Sequence, residues 1–297
     1  LYHYLKKNSE NYELSDSIIL KNKSLNTLQT IDHIKLFSSI NPFDFGKISY
    51  LHSQNDILAS GDIAKSLSVS IGVPFSDNLV EKFYLNYFME GIKFQADKDK
   101  CLIASGHSYQ SQESGITLTL NGEIESYTSK NSAKEDDLIY LSKPLGTGYL
   151  LAAYFDNTNM ISSYDFENII SHMKRENSFI VKKARQLDCQ TMTDISGYGL
   201  ASHLIDICIS SNLSSELTIN KNILINTNID LLNIYQSSGY NNNLKFSEEF
   251  VEISESHLLK NILYDPQTNG PMLMGIKKVN QKKFEDFFSN TLHQPIL

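Results

Sequence analysis

The 297-residue sequence has no tryptophan, six prolines and only three cysteines, Cys101, Cys189 and Cys208. None of these cysteines stands in a CxxC pair, so neither a disulfide framework nor a zinc site is expected. A reducing, cytoplasmic setting fits that usage. No apolar run approaches the roughly 20 residues that span a bilayer, and no signal-peptide pattern opens the chain. Positive charge is in the minority, with 26 Lys and Arg against 34 Asp and Glu, a net charge of -8. A broad nucleic-acid face needs concentrated positive charge and is therefore not expected. A GxxxxGK[ST] phosphate loop is also missing. An anion site built from backbone amides or a bound metal stays open.

What is present is an ordinary globular balance, 41% hydrophobic and 20% charged. Asn41-Pro42-Phe43-Asp44-Phe45-Gly46 reads as a turn feeding a helix through residue 60. Leu67, Val69, Ile71 and Val73 alternate with small or polar residues and predict a half-buried strand closed by Pro74. Asp77 or Asn78 can cap a helix whose apolar stripe would be Val80, Phe83, Phe88 and Ile92. Two short strands follow, over Cys101–Ala104 and Ile116–Leu120. The polar stretch Thr128–Asp137 is the expected boundary between two halves, 1–127 and 137–297. Beyond it come a strand at Leu138–Leu141, helical patterns from about 149 to 187, and a helix through Leu200, Leu204, Ile207 and Cys208. Ser237–Asn243 reads as a loop, and Pro271–Ile276 as a buried strand. Strands and helices alternate in both halves, which predicts an α/β or α+β protein with two subdomains.

Several segments place acidic or small polar residues at the edges of apolar elements. In Thr193-Asp194-Ile195-Ser196-Gly197-Tyr198-Gly199 a carboxylate precedes two glycines and a helix. Asp194 is either a magnesium ligand beside a phosphate or a cap on a tight turn. Asp56 lies inside the first helix, where Asp has low propensity, either on a solvated face or turned to a site. Asp16 precedes Ile18-Ile19-Leu20, as a metal ligand at a strand edge or a plain turn residue. Gly106-His107-Ser108 ends an apolar strand, as a phosphate contact or as ordinary polar residues. Lys143-Pro144-Leu145-Gly146-Thr147-Gly148 could be an anion-binding turn, and Asp265-Pro266-Gln267-Thr268-Asn269-Gly270 a structural one. Singly, none of these names a function.

In order, they do. NPFDFG at 41, GHS at 106, KPLGTG at 143, TDISGYG at 193 and DPQT at 265 resemble the successive signatures of the selenophosphate synthetases (selenide, water dikinases). The looser TDxxGxG and DPQT patterns recur in the wider superfamily of aminoimidazole ribonucleotide synthetase and thiamine monophosphate kinase; the longer strings favour the selenium branch. The resemblance covers nearly the whole chain. It implies a two-subdomain α/β fold whose N-terminal halves pair into a dimeric β-barrel, with ATP between subunits. It implies conversion of ATP, selenide and water to selenophosphate, AMP and phosphate, with Mg2+ as cofactor. By position, Asp16, Asp56 and Asp194 would hold metal, and Asp56, Gly106, His107 and Ser108 would contact ATP. A further family Asp falls at Asp32 or His33.

The family carries a nucleophilic Cys or selenocysteine and a Lys upstream of its first metal Asp. The chain is expected to begin after that point, so no catalytic residue is assigned within it. Other departures are Ser15 before Asp16, His52 in place of an Asn one turn before Asp56, Gly61-Asp62 for a glycine pair, and Gly270-Pro271 for another. They keep two alternatives open: another ATP-using member of the superfamily, or a non-catalytic dimerising paralogue.

Overall fold

The computed structural model describes residues 16–21, 26–37, 39–61, 63–124, 127–156, 160–226, 228–253 and 257–288. Ser15 and Asp62 lie outside them. The chain folds around two sheets. The first has five strands, β1 (Ile18–Lys21), β2 (Asn26–Lys35), β3 (Ala64–Pro74), β4 (Leu102–Ser111) and β5 (Gly115–Glu123), in the order β1-β2-β5-β3-β4. Only the β3–β4 pair is parallel. Two helices, α1 (Pro42–Ser60) and α2 (Asn78–Asp99), pack against each other and against one face of this sheet.

Helix α1 starts as the NPFDFG string predicts. The Asn41 carboxamide accepts from the Phe43 amide at 2.9 Å, and Pro42 occupies the first turn, where its missing N–H is no loss. Asp77 caps α2, accepting from the amides of Leu79 and Val80. The two helices meet backbone to backbone: a Cβ on Gly91 would lie 2.0 Å from the Phe43 carbonyl oxygen. The expected α2 stripe is only half right. Phe88 and Ile92 are fully buried, but Val80 and Phe83 are 39% and 48% exposed. The apolar side chains of the N-terminal turns of α2 thus stay outside the core.

Strand β2 was not visible as a period-2 pattern. Its inward residues are Leu28, Thr30, Asp32 and Ile34, two of them polar, while the apolar Ile31 faces outward at 67% exposure. Cys101 precedes β4 rather than opening it.

The second sheet holds β6 (Asp137–Leu141), β7 (Thr191–Asp194) and β8 (Met272–Lys277), in the order β6-β8-β7, all antiparallel. The central β8 is buried from Met272 to Ile276, as its unbroken apolar run requires. Around it lie α3 (Thr147–Asp156), α4 (Ser163–Met173), α5 (Ser178–Gln186), α6 (Gly199–Ser211), α7 (Ile229–Ile234), α8 (Tyr240–Ser247) and α9 (Gln281–Phe288). The loop expected at Ser237–Asn243 is overturned at its second half, where Tyr240 opens α8 and buries its ring. One hydrophobic core runs from Leu28 and Phe88 through Leu141, Leu200 and Leu273, so the two sheets share it. A smaller cluster under α5 and α9 gathers Tyr140, Met192, Met274 and Phe284.

The segment between the sheets is not a loose linker. Thr128 and Lys130 are buried, and the Ser129 amide donates to the Gln190 carbonyl. The first sheet is open within one chain, and β4 is exposed along most of its length. Among the described residues no helix is long and apolar enough to cross a membrane.

Candidate metal and nucleotide site

Three remote positions converge where the sheets meet. Asp16 stands just before β1, Asp56 on α1, and Asp194 at the end of β7. Each offers a carboxylate oxygen, and these atoms lie within 4.8 Å of one another. Strand β7 is buried throughout, which carries Asp194 into the interior. There the chain must turn into α6, and the turn is pinned from several sides. The Ile195 amide donates to the Pro271 carbonyl, and the Gln267 amide to the Ser196 carbonyl. Gly199, at φ +74, takes the left-handed conformation that opens α6. Gly197 has no atom within 4 Å of a built Cβ, so of the two glycines only Gly199 is required by the backbone.

The carboxylates repel in a water-poor space, and their protonation records it. Burial pushes Asp194 up to about 8, with Asp16 and Asp32 adding to the rise. Burial likewise holds Asp56 well above the carboxylate range, reinforced by Asp194, Asp32 and Asp16. Thr30 donates to Asp56 Oδ2 at 2.5 Å, which orients that carboxylate. Asp194 Oδ1 is buried and has no hydrogen-bond partner. An orphaned buried carboxylate oxygen aimed into a cluster of its own charge is the arrangement a cation satisfies. Three carboxylates make an all-oxygen donor set, which suits Mg2+, Mn2+ or Ca2+ rather than a thiophilic metal.

One cation is already there. Lys130 Nζ lies 2.6 Å from Asp16 Oδ1 and 3.6 Å from Asp206 Oδ2, with its side chain 8% exposed. Burial opposes its charge, but Asp16 and Asp206 outweigh burial and hold the ammonium well above its usual range. Asp206 belongs to α6, as does His203, which accepts from the Ser196 amide at 3.4 Å. Burial, with Lys130 adding to it, pushes that imidazole down to about 4, so it is neutral. None of Lys130, His203 and Asp206 was singled out from the sequence. Lys130 lay in a stretch read as a solvated boundary, and nothing in the local pattern marks its burial.

Strand alternation turns Asp32 and His33 to opposite faces of β2. Asp32 shares the inward face of β2 with Thr30 and acts electrostatically on His52, Asp56 and Asp194. His33 faces the open side, with Nδ1 2.9 Å from Thr117 Oγ1. His52, one turn before Asp56, accepts the Asn269 amide on Nδ1 at 3.0 Å and is held neutral by burial.

Gly106, His107 and Ser108 are not brought to the carboxylates within one chain. They sit on β4, three strands from β2, a separation of about 14 Å at the usual strand spacing. They pair with Val69, Ser70 and Ile71 and edge a cleft of 330 Å³ beside α2. A larger cleft of 1250 Å³ between the start of β6 and the segment after α6 shares no residue with the carboxylates.

The anion-binding reading of KPLGTG is overturned. The amides of Gly146 and Thr147 and the Thr147 hydroxyl all donate to Gln267 Oε1, and the Gly148 amide donates to Asp265 Oδ2. The side chains of DPQT occupy the donors an anion would need. Lys143 is buried and donates to the Arg175 carbonyl at 3.0 Å, with burial holding its ammonium well below its usual range. KPLGTG and DPQT thus form an internal clamp at the start of α3. Of the cysteines, Cys101 and Cys189 are buried, while Cys208 is only half-buried.

This geometry can be set against known proteins. The family description "AIR synthase related protein, N-terminal domain" matches residues 15–124. The selenide, water dikinase of Shewanella sp. (strain ANA-3) is 27% identical over 239 residues, 79% of this chain. That of Campylobacter jejuni (strain RM1221) is 26% identical over 279 residues, covering 91% of this chain and 79% of the relative. The chain is therefore similar to selenide, water dikinases, and its N-terminal part matches the AIR synthase-related domain. It spans 66% of the length of the Shewanella protein. Among solved structures, thiamine monophosphate kinase from Aquifex aeolicus superposes with a TM-score of 0.65 at 19% identity, over 94% of this chain and 88% of that one. Hydrogenase maturation protein HypE in complex with ATP gives a TM-score of 0.60 at 14% identity, over 97% and 78%. These likenesses show the fold: an α/β chain of the AIR synthase-like class. Similarity to dikinases, together with carboxylates that converge where the resemblance would put metal ligands, is the starting point for function.

Proposed function

We propose that this chain is the ATP- and magnesium-binding part of a selenophosphate synthetase. The whole reaction converts ATP, selenide and water to selenophosphate, AMP and phosphate. The carrying observation is the convergence of Asp16, Asp56 and Asp194, with the unpartnered Asp194 Oδ1 among them, in a relative of selenide, water dikinases. These three residues would hold magnesium, whose chemistry is to neutralise phosphate charge as phosphoryl transfer proceeds. Asp32 stands beside them as a further carboxylate toward the ATP phosphates. Gly106, His107 and Ser108 lie on the exposed edge strand β4, three strands from β2, rather than beside the carboxylates. They fit the reading in which ATP lies between two copies, with β4 of one chain completing the site of the other. The halves 1–127 and 137–297 would then be a nucleotide-binding, dimerising domain and a C-terminal α/β domain around a common core. The residues that handle selenide would lie upstream of Asp16.

The test is thermal. Mg2+ with ATP should raise the melting temperature of the wild-type chain, by an amount corresponding to about 2.7 kcal/mol at a hundredfold excess over Kd. Asp56→Asn should abolish the shift, and the surface substitution Asp97→Asn should retain it. A wild-type melting temperature that Mg2+ and ATP leave unmoved sinks the reading. In the full-length protein, AMP should form only when selenide is supplied.

A further inference from the structure

Lys130 is a buried cation in a site whose other members are carboxylates. The ammonium is 2.6 Å from Asp16 and 3.6 Å from Asp206, and its side chain is 8% exposed. Its backbone is fixed independently. The Ser211 hydroxyl donates to the Lys130 carbonyl at 3.0 Å, and Ser129 caps the short helical turn Lys130–Ser132. The ammonium is therefore delivered by a pinned backbone from the segment that joins the two sheets. It bridges an N-terminal carboxylate, Asp16, to one on α6.

We propose that Lys130 is a positioning residue that acts as the resident counter-ion of the carboxylate cluster, limiting it to one divalent cation when no nucleotide is bound. This rests on the metal-site reading given above. The ammonium cancels one unit of the negative charge that the clustered carboxylates would present, and it takes donor oxygens away from a second ion. Lys130 holds Asp16 Oδ1, so Asp16 offers one oxygen to metal instead of two. It also engages Asp206, which would otherwise be a fourth carboxylate at the same place. An ammonium held on a pinned backbone is a compact point charge, so it raises the concentration at which a second ion binds. Below that concentration a further ion enters only with the negative charge of a nucleotide. The site thus couples its extra metal to its substrate.

The test counts ions rather than turnover. Mn2+ binding to the nucleotide-free chain is followed by the electron paramagnetic resonance signal of free Mn2+. Wild-type protein should bind one Mn2+ per chain. Lys130→Met keeps the length of the stem and removes the charge. It should bind a second Mn2+ and hold the first at least about tenfold more tightly, since a neighbouring unit charge has been lost from a low-dielectric site. Lys130→Arg should restore the stoichiometry of one, which a purely structural role would not predict. Circular dichroism confirms that each variant is folded. Should Lys130→Met unfold, Lys130→Gln, which keeps a polar head group and removes the charge, provides the same count. If wild type binds Mn2+ and folded charge-removed variants bind the same number with the same affinity, the role of Lys130 is overturned while the metal site stands. If wild type binds no Mn2+, the metal-site reading fails and this one with it.

Discussion

Asp194 is the residue through which pH reaches this molecule. Its carboxyl titrates near 8 in the folded chain, raised first by burial and then by Asp16 and Asp32, against about 3.9 when unfolded. A raised folded value means that the native state holds the proton more tightly than the unfolded state does. The stability it contributes is therefore full below about pH 4 and is lost as pH rises through 8. The metal-free melting temperature should accordingly fall by several degrees between pH 5 and pH 8.5. Asp194→Asn should flatten that dependence and raise the metal-free melting temperature at pH 8. Added Mg2+ should flatten it in wild type by taking the place of the proton. A melting temperature that rises over this range in metal-free wild type would contradict the electrostatics of the cluster. The sequence marked Asp16, Asp56 and Asp194 through ordered motifs, but it offered a bland alternative for each. A helix-interior Asp looks the same on paper whether it faces water or other carboxylates. The partners Lys130, His203 and Asp206 were not legible, because a Lys in a polar stretch carries no sign of its burial.

At the scale of elements, the clamp between KPLGTG and DPQT stands out. Gln267 Oε1 takes three donors from the turn into α3, and Asp265 takes a fourth from Gly148. Burial pushes Asp265 up to about 7, and its Oδ1 is left without a partner, so this clamp too works against ordinary carboxylate behaviour. Gln267→Ala would strand buried amides and should cost about 2–3 kcal/mol in denaturant unfolding. A loss below half a kilocalorie would mean that water replaces the side chain and that the clamp is incidental. The two strings are separated by over a hundred residues, and each looks like a turn by itself. Gly and Pro punctuation predicts a turn locally, but not that one turn's side chains fill another turn's amides. The same limit explains β2. Its inward face mixes Leu28 and Ile34 with Thr30 and Asp32, because that face serves both the core and the site. A strand bent to two purposes loses the clean alternation by which strands are recognised.

For the whole molecule, the open face of the first sheet is the feature that one chain leaves unfinished. Ile31 is 67% exposed on β2, and β4 is exposed along most of its length at the sheet edge. An exposed edge strand invites pairing with another chain. If two copies close these sheets on each other, light scattering should report a dimer, and Ile31→Lys should shift it to monomer. That variant should also lose the stabilisation by Mg2+ and ATP if β4 of one copy serves the nucleotide of the other. A wild-type chain that stays monomeric at tens of micromolar would remove this arrangement.

The sequence by itself determined what is local. The capped start of α1 at Asn41, the capped start of α2 at Asp77 and the buried run of β8 follow from residue type and spacing, since each is settled by neighbours a few positions away. The ordered motifs carried the resemblance to the selenide, water dikinases, because five spaced strings together are specific where each alone is not, and the Shewanella dikinase is 27% identical. The tertiary structure alone decided which side chains meet. It turned Asp32 inward and His33 outward, gave the KPLGTG amides to Gln267, and set Lys130 among the carboxylates. Those outcomes depend on contacts between positions far apart in the chain, and burial changes the charge of the groups once they meet.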